Sequence, residues 1–233
     1  MPELSLIIQE PAETAAQLIV LCHAAGADAA SLLPLGERLG EAFPQATIVS
    51  LQADTPAATP QGFEWFATAD IADAADGTDE NRAARVAQAV AALQTAVGDW
   101  QARSGVPAAA TALIGVSQGA EMVLEASKLQ PMLASRVVAM GGRFTTLPDV
   151  PPAVTTIHFL HGKLDAVVPY SHSVIAAHHL RDMGCDITAE VVPFVGHELH
   201  PDLIELTITK LSTHIAHHLW TAAQEAAPPS STH

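Results

Sequence analysis

ATALIGVSQGAEMVLEASKL, residues 110–129, is the stretch that decides the fold. A short apolar run from Ala110 to Ile114 leads into the pentapeptide Gly115-Val116-Ser117-Gln118-Gly119, and a helix-forming stretch from Ala120 to Leu129 follows it. Strand, tight turn and helix with a serine at the apex make a nucleophile elbow. The turn must lift the Ser117 hydroxyl clear of the sheet, which forces an uncommon backbone conformation on the serine. Gly115 and Gly119 suit such a turn because strand and helix backbones pass too close there for a Cβ. The pentapeptide alone is weak, since G-x-S-x-G arises by chance in roughly one chain in ten of this length. The flanking strand and helix carry the weight.

The elbow needs partners, and they follow in the order Ser, Asp, His. The apolar run Thr155 to Leu160 precedes His161-Gly162-Lys163-Leu164-Asp165, which puts Asp165 in a loop at a strand's C-terminal end. The run Ile187 to Val192 precedes Pro193-Phe194-Val195-Gly196-His197, so His197 also sits just past a strand. Loops beyond the carboxyl ends of strands form the ligand crevice of an open α/β sheet. A neutral serine hydroxyl becomes a good nucleophile only when a base such as His197 takes its proton, and Asp165 would fix the imidazole tautomer. Negative charge developing on a carbonyl oxygen also needs fixed donors. The Gln118 amide is one candidate, and the loop His23 to Asp28, after the run Gln17 to Cys22, is the place for a second.

On these residues the chain resembles the phospholipase/carboxylesterase family of α/β-hydrolases, over about residues 15 to 220. It has a more distant similarity to dienelactone hydrolases, which carry cysteine where this chain has Ser117. The resemblance implies Ser117, Asp165 and His197 as catalytic triad and Gln118 and Ala25 as oxyanion donors. Gly62-Phe63-Glu64-Trp65-Phe66 resembles a pocket-lining segment of the family, which implies substrate contacts for Phe63, Trp65 and Phe66. Taken alone, Trp65 could as well pack under its loop. One departure stands out. The family usually has His-Gly at the oxyanion loop and this chain has His23-Ala24, where a positive φ would disfavour alanine.

Composition narrows the classes. At 233 residues the chain suits one α/β-hydrolase domain, residues 1–220, followed by an Ala/Pro/Ser-rich tail, 221–233, expected to be disordered. A formal charge of −15 argues against nucleic-acid binding, which needs clustered Lys and Arg. No segment reaches the ~20 apolar residues of a membrane helix, and the start is neither basic nor followed by a long apolar run. Cys22 and Cys185 form no metal or disulfide pattern, so reduced thiols and a cytoplasmic location are expected.

Apolar runs alternate with helical periodicity, which predicts a mostly parallel sheet with helices on both faces. Strands are expected near 4–8, 18–22, 47–51, 111–114, 136–140, 156–160 and 187–192. Helices are expected near 34–42, 79–103, 120–129, 171–183 and 201–220. The stretches 54–77 and 141–154 lack periodicity, and the shortness of the second predicts a site with no large cap. Twelve histidines raise the question of a metal. However, His178, His179, His214, His217 and His218 read as solvent-facing helix residues, and His197-Glu198-Leu199-His200 has the wrong spacing for a zinc protease. His23 and His161 are expected to support their loops.

The reading is a serine hydrolase for carboxylic esters, or thioesters, of small to medium acyl groups. It needs no metal or organic cofactor. Acyl-protein thioesterase or lysophospholipase-like activity is the alternative, less favoured because no protein or lipid groove is visible. A non-catalytic binder on the same scaffold is a third reading. Oligomeric state is not encoded in any of these features.

Overall fold

The computed structural model describes residues 5–57, 62–67, 79–152 and 154–214. Sequence alternation explains the central layer. Along β2 (Gln17–Cys22), Leu18, Val20 and Cys22 face one side and Ile19 and Leu21 the other, and all five are buried. A strand apolar on both faces belongs inside a parallel sheet covered by helices on both sides. The sequential elements are β1 (Leu6–Gln9), β2, α1 (Leu33–Ala42), β3 (Ala46–Leu51), β4 (Thr55–Pro56) and β5 (Phe63–Glu64). They continue with α2 (Asp79–Ser104), β6 (Thr111–Val116), α3 (Gln118–Ala126), β7 (Arg136–Met140), β8 (Thr156–Gly162), α4 (Ser171–Asp182), β9 (Ile187–Val192) and α5 (Pro201–Thr213).

Seven strands form one sheet in the order β1-β3-β2-β6-β7-β8-β9. Only the edge strand β1 runs antiparallel, paired to β3. Helices α2, α3 and α4 cover one face over a core that includes Val97, Trp100, Met122, Phe159 and Leu180. Helices α1 and α5 cover the other over Leu35, Leu39, Ile114, Met140 and Leu203. The Cys22 thiol is buried, and burial alone pushes its pKa well up, so it is inert.

Several details differ from the sequence reading. The helix after Ser117 starts at Gln118 rather than Ala120 and ends at Ala126, three residues short of Leu129. The stretch 54–77, read as a loop, contains a small antiparallel ribbon in which Thr55 pairs with Glu64 and Pro56 with Phe63. The described part of the last helix ends at Thr213; the expected continuation to Trp220 and the tail 221–233 lie outside the described residues. The described residues between β7 and β8 form no helix, so no cap is inserted there. No described helix is long and apolar enough to cross a membrane.

The histidines also depart from expectation. His178 is exposed, but His179 bonds the Pro148 carbonyl at 2.8 Å, and His217 and His218 fall outside the described residues. His214 is no solvent-facing residue. Its Nε2 donates to both oxygens of Asp186 at 3.1 Å, and its ring meets His158 edge-on with centroids 5.1 Å apart. Helical period could not show this, because Asp186 and His158 come from β9's approach and from β8.

His158 is fully buried, with Nδ1 bonded to the Thr188 hydroxyl at 2.8 Å. Burial, reinforced by the nearby positive groups of His214, Arg136 and Lys210, lowers its pKa from 6.5 to about 3. Burial likewise lowers His23 and His161. Because the folded values lie below the unfolded ones, the unfolded chain binds more protons once pH drops under about 6.5. Stability is therefore full above that value and is lost as pH falls toward 3. His158 alone should cost about 2 kcal/mol between pH 7 and pH 5. Urea unfolding at the two pH values will show a lower midpoint at pH 5, with the gap reduced in His158→Gln; equal midpoints in the wild-type protein would contradict this account.

Candidate active site

Ser117 sits between β6 and α3 with φ 55° and ψ −113°, one of two described non-glycine residues at positive φ. Such a conformation costs on the order of 1–3 kcal/mol and survives only where neighbours over-determine it. Here they do. A Cβ on Gly115 would lie 2.1 Å from the Gly119 carbonyl oxygen, and one on Gly119 would lie 2.1 Å from the Cys22 carbonyl oxygen. The Ser117 amide donates to the Met140 carbonyl at 2.9 Å, which ties the turn to β7.

Three loops at the carboxyl ends of β6, β8 and β9 bring the expected side chains together. His197 Nε2 lies 2.8 Å from Ser117 Oγ, and His197 Nδ1 lies 2.7 Å from Asp165 Oδ2. Asp165 is buried, and its other oxygen accepts the Val167 and Val168 amides at 2.9 and 2.8 Å. Burial would raise its pKa, but the hydrogen bonds from His197, Val168 and Val167 outweigh it and hold the carboxyl below its usual value. An ionised Asp165 accepts Nδ1–H, leaving the Nε2 lone pair of His197 to the serine hydroxyl.

His161 completes the set around that carboxylate. Its Nε2 faces Asp165 Oδ2 at 3.1 Å and the Val168 carbonyl at 2.8 Å, both acceptors, so it carries the proton. Its Nδ1 then accepts from the Ser173 hydroxyl at 2.8 Å. Ser173 has no signal in the sequence, being one more serine near a helix start. Gly141, at φ 62°, closes the group. A Cβ there would stand 3.3 Å from Asp165 Oδ2 and 3.5 Å from His197 Nδ1.

The loop after β2 resolves the departure at Ala24. Neither Ala24 nor Ala25 has positive φ; the left-handed residue is Gly26, at φ 77°. His23 holds this loop from below, with Nδ1 donating to the Ala24 carbonyl at 2.7 Å and Nε2 accepting the Ala53 amide at 3.1 Å. Ala25, Ser117 and Gln118 line one cavity of about 300 Å³, and no described residue accepts a hydrogen bond from the Ala25 or Gln118 amide.

The aromatic segment divides its roles. Phe66 lines the same cavity as Ser117. Trp65 lines a neighbouring one, donates Nε1–H to the His23 carbonyl at 2.8 Å and stacks 5.2 Å from the His23 ring. Phe63 is half-buried, and its backbone pairs with Gly26 and Ala27. What fixes this segment is the side chain of Gln118, a residue that the sequence marks only through its amide. Its Oε1 accepts the Trp65 amide at 2.7 Å and its Nε2 donates to the Phe66 carbonyl at 2.8 Å. A second cavity, about 170 Å³, opens on the other side of Ser117 between Leu32, Met140, Leu199 and Leu203.

A serine elbow at the carboxyl edge of this sheet defines an α/β-hydrolase-fold enzyme. The sequence profile of the phospholipase/carboxylesterase family matches residues 4–218. The chain belongs to that family. Esterase YpfH of Escherichia coli K12 is 37% identical over 223 residues, covering 96% of this chain and 94% of that protein. The crystal structure of esterase PE8 superposes with a TM-score of 0.77 at 27% identity, covering 89% of this chain and 96% of the other. A carboxylesterase from Mesorhizobium loti shares the fold, with a TM-score of 0.71 at 19% identity over 86% of this chain and 90% of that one.

Removing the Gln118 side chain would leave the Trp65 N–H and Phe66 C=O unpaired at a buried position. Gln118→Ala should destabilise the protein by about 2 kcal/mol or more and expose the segment 62–67 to proteolysis first. An unchanged urea midpoint together with an unchanged cleavage pattern would rule out this tether.

Proposed function

We propose that the protein hydrolyses carboxylic esters of small to medium acyl groups through an acyl-enzyme, with Ser117 as nucleophile, His197 as base and Asp165 as its orienting partner. The observation that carries the reading is the unbroken hydrogen-bond chain from Ser117 Oγ through the two nitrogens of His197 to Asp165 Oδ2, at 2.8 and 2.7 Å. Ser117 Oγ bonds to the carbonyl carbon as its proton passes to His197 Nε2. The resulting oxyanion is held by the Gln118 and Ala25 amides. Collapse breaks the bond to the leaving alcohol, which takes the proton from His197. Water then attacks the acyl-serine, gives a proton to His197, and releases the acid and free Ser117 by the same path in reverse.

Support for small substrates comes from the two cavities beside Ser117, about 300 and 170 Å³, at or below the lower end of small-molecule sites. That size speaks against long-chain lysophospholipids. Carrying over the esterase activity named for the E. coli relative agrees with this reading. Thioesters would follow the same steps with a thiol as leaving group.

The deciding experiment is labelling with a fluorophosphonate, which bonds to an activated serine only. Wild-type protein should be labelled at Ser117 and Ser117→Ala should not. The same substitution should lower kcat on a short p-nitrophenyl ester by ~10⁴–10⁶ with circular dichroism unchanged; activity within tenfold of wild type would eliminate Ser117 as nucleophile.

The base must be unprotonated to work. His197→Ala should lower kcat on the same ester by ~10⁴–10⁶, as for Ser117→Ala, because members of such a set act as a unit. Activity of His197→Ala within tenfold of wild type would remove His197 from that role.

A further inference from the structure

The two cavities flanking Ser117 differ in charge. The smaller is apolar apart from the reacting groups, Ser31 and Glu198 at its edge. The larger is lined by Arg82, Arg143 and His172, with Glu121 as its single carboxylate. In a chain with 10 basic against 25 acidic residues, two arginines beside one serine are a concentration of positive charge that the overall balance does not predict.

Their situations differ. Arg82 is engaged: its Nη2 bonds Glu121 at 2.6 Å, and its guanidinium lies 5.3 Å from the centre of the Phe66 ring. Glu121 in turn accepts the Thr145 hydroxyl at 2.6 Å. Pair and acceptor cancel, so Arg82 shapes the wall and adds little net charge. Arg143 is exposed, and no described residue hydrogen-bonds or ion-pairs with its side chain. The backbone that bears it is fixed all the same. A Cβ on the preceding residue, Gly142, would lie 2.4 Å from Ala120 Cβ and 3.0 Å from the Ser117 carbonyl oxygen. The backbone that carries Arg143 is therefore packed directly against the nucleophile's own residue. Across the cavity, Pro169 and His172 present the positive end of α4, which adds to the same field.

A guanidinium with no partner among the described residues, on the wall of the cavity that holds Ser117, is a ready partner for a carboxylate, which it can bind through two parallel hydrogen bonds. We infer that the preferred substrates are short esters that carry a carboxylate a few bonds from the scissile carbonyl, and that Arg143 is the residue that selects them. This inference rests on the ester-hydrolase reading given above and narrows its substrate class. The anion can belong to the acyl part, as in half-esters of dicarboxylic acids, or to the alcohol part, as in esters of hydroxy acids. Both place the same group in the same cavity.

The test compares charged esters with uncharged amide isosteres by proton release at constant pH. For the acyl arm the pair is monoethyl glutarate and its terminal-amide counterpart; for the alcohol arm it is the acetate ester of γ-hydroxybutyrate and that of γ-hydroxybutyramide. In wild-type enzyme the kcat/KM ratio of charged over uncharged ester should reach about tenfold or more in one arm, mainly through KM. That arm identifies the anion's source. In Arg143→Gln the ratio should collapse to within about twofold of unity, and Arg143→Lys should recover part of it. A purely structural role for Arg143 would lower both esters equally and leave the ratio in place. A wild-type ratio near one in both arms, or a ratio untouched by Arg143→Gln, overturns the inference while ester hydrolysis stands. No turnover of any ester, uncharged ones included, overturns the hydrolase reading and this inference with it.

Discussion

Everything at the carboxyl edge of the sheet is organised around one buried carboxylate. Asp165 receives four hydrogen bonds, two at each oxygen, from the amides of Val167 and Val168 and from the rings of His161 and His197. A buried charge with any of these donors missing would be costly, so the set is cooperative: each donor makes the ionised state cheaper for the rest. The amides lock the loop after β8 and His161 anchors it to α4 through Ser173. Of the two rings only His197 remains partly exposed, and it alone links the carboxylate to Ser117. Orientation of the His197 ring is thus a property of the whole loop system and not of a single contact.

Much of this was legible in the sequence. The alternation of buried runs and helical periods gave all seven strands of the main sheet within about two residues, because burial on both faces leaves a strong local signal. Ser117, Asp165 and His197 stood out because each follows such a run. What escaped notice is long-range. The side chain of Gln118 acts on residues 52 and 53 positions away in the chain, His214 acts on Asp186 28 positions away, and the small ribbon Thr55–Pro56 with Phe63–Glu64 is too short for any period. Local pattern cannot report contacts that only the closed sheet creates. Ala24 shows the opposite case: the expected difficulty dissolves because the chain moves its left-handed turn two residues on, to Gly26.

The sheet is polar at both ends for different reasons. At the carboxyl edge, hydrogen-bond donors converge on a carboxylate that reaches a serine through His197. Near the starts of β7, β8 and β9, Arg136 bonds Thr156, Thr156 bonds Asp186, and Asp186 meets His214, which packs on His158. That second network joins the last described helix to the strand layer. It stands apart from the serine, and its contribution is to stability under neutral conditions.

Ser117 holds its backbone at a φ that L-residues avoid, and the neighbours enforce it through contacts too close for any added atom. The conformational energy stored there, on the order of 1–3 kcal/mol, opposes folding. A glycine at this one position would adopt the same φ without the strain and make a sturdier chain that lacks the hydroxyl. With Ser117 as the nucleophile proposed above, hardiness and catalysis pull in opposite directions at the elbow.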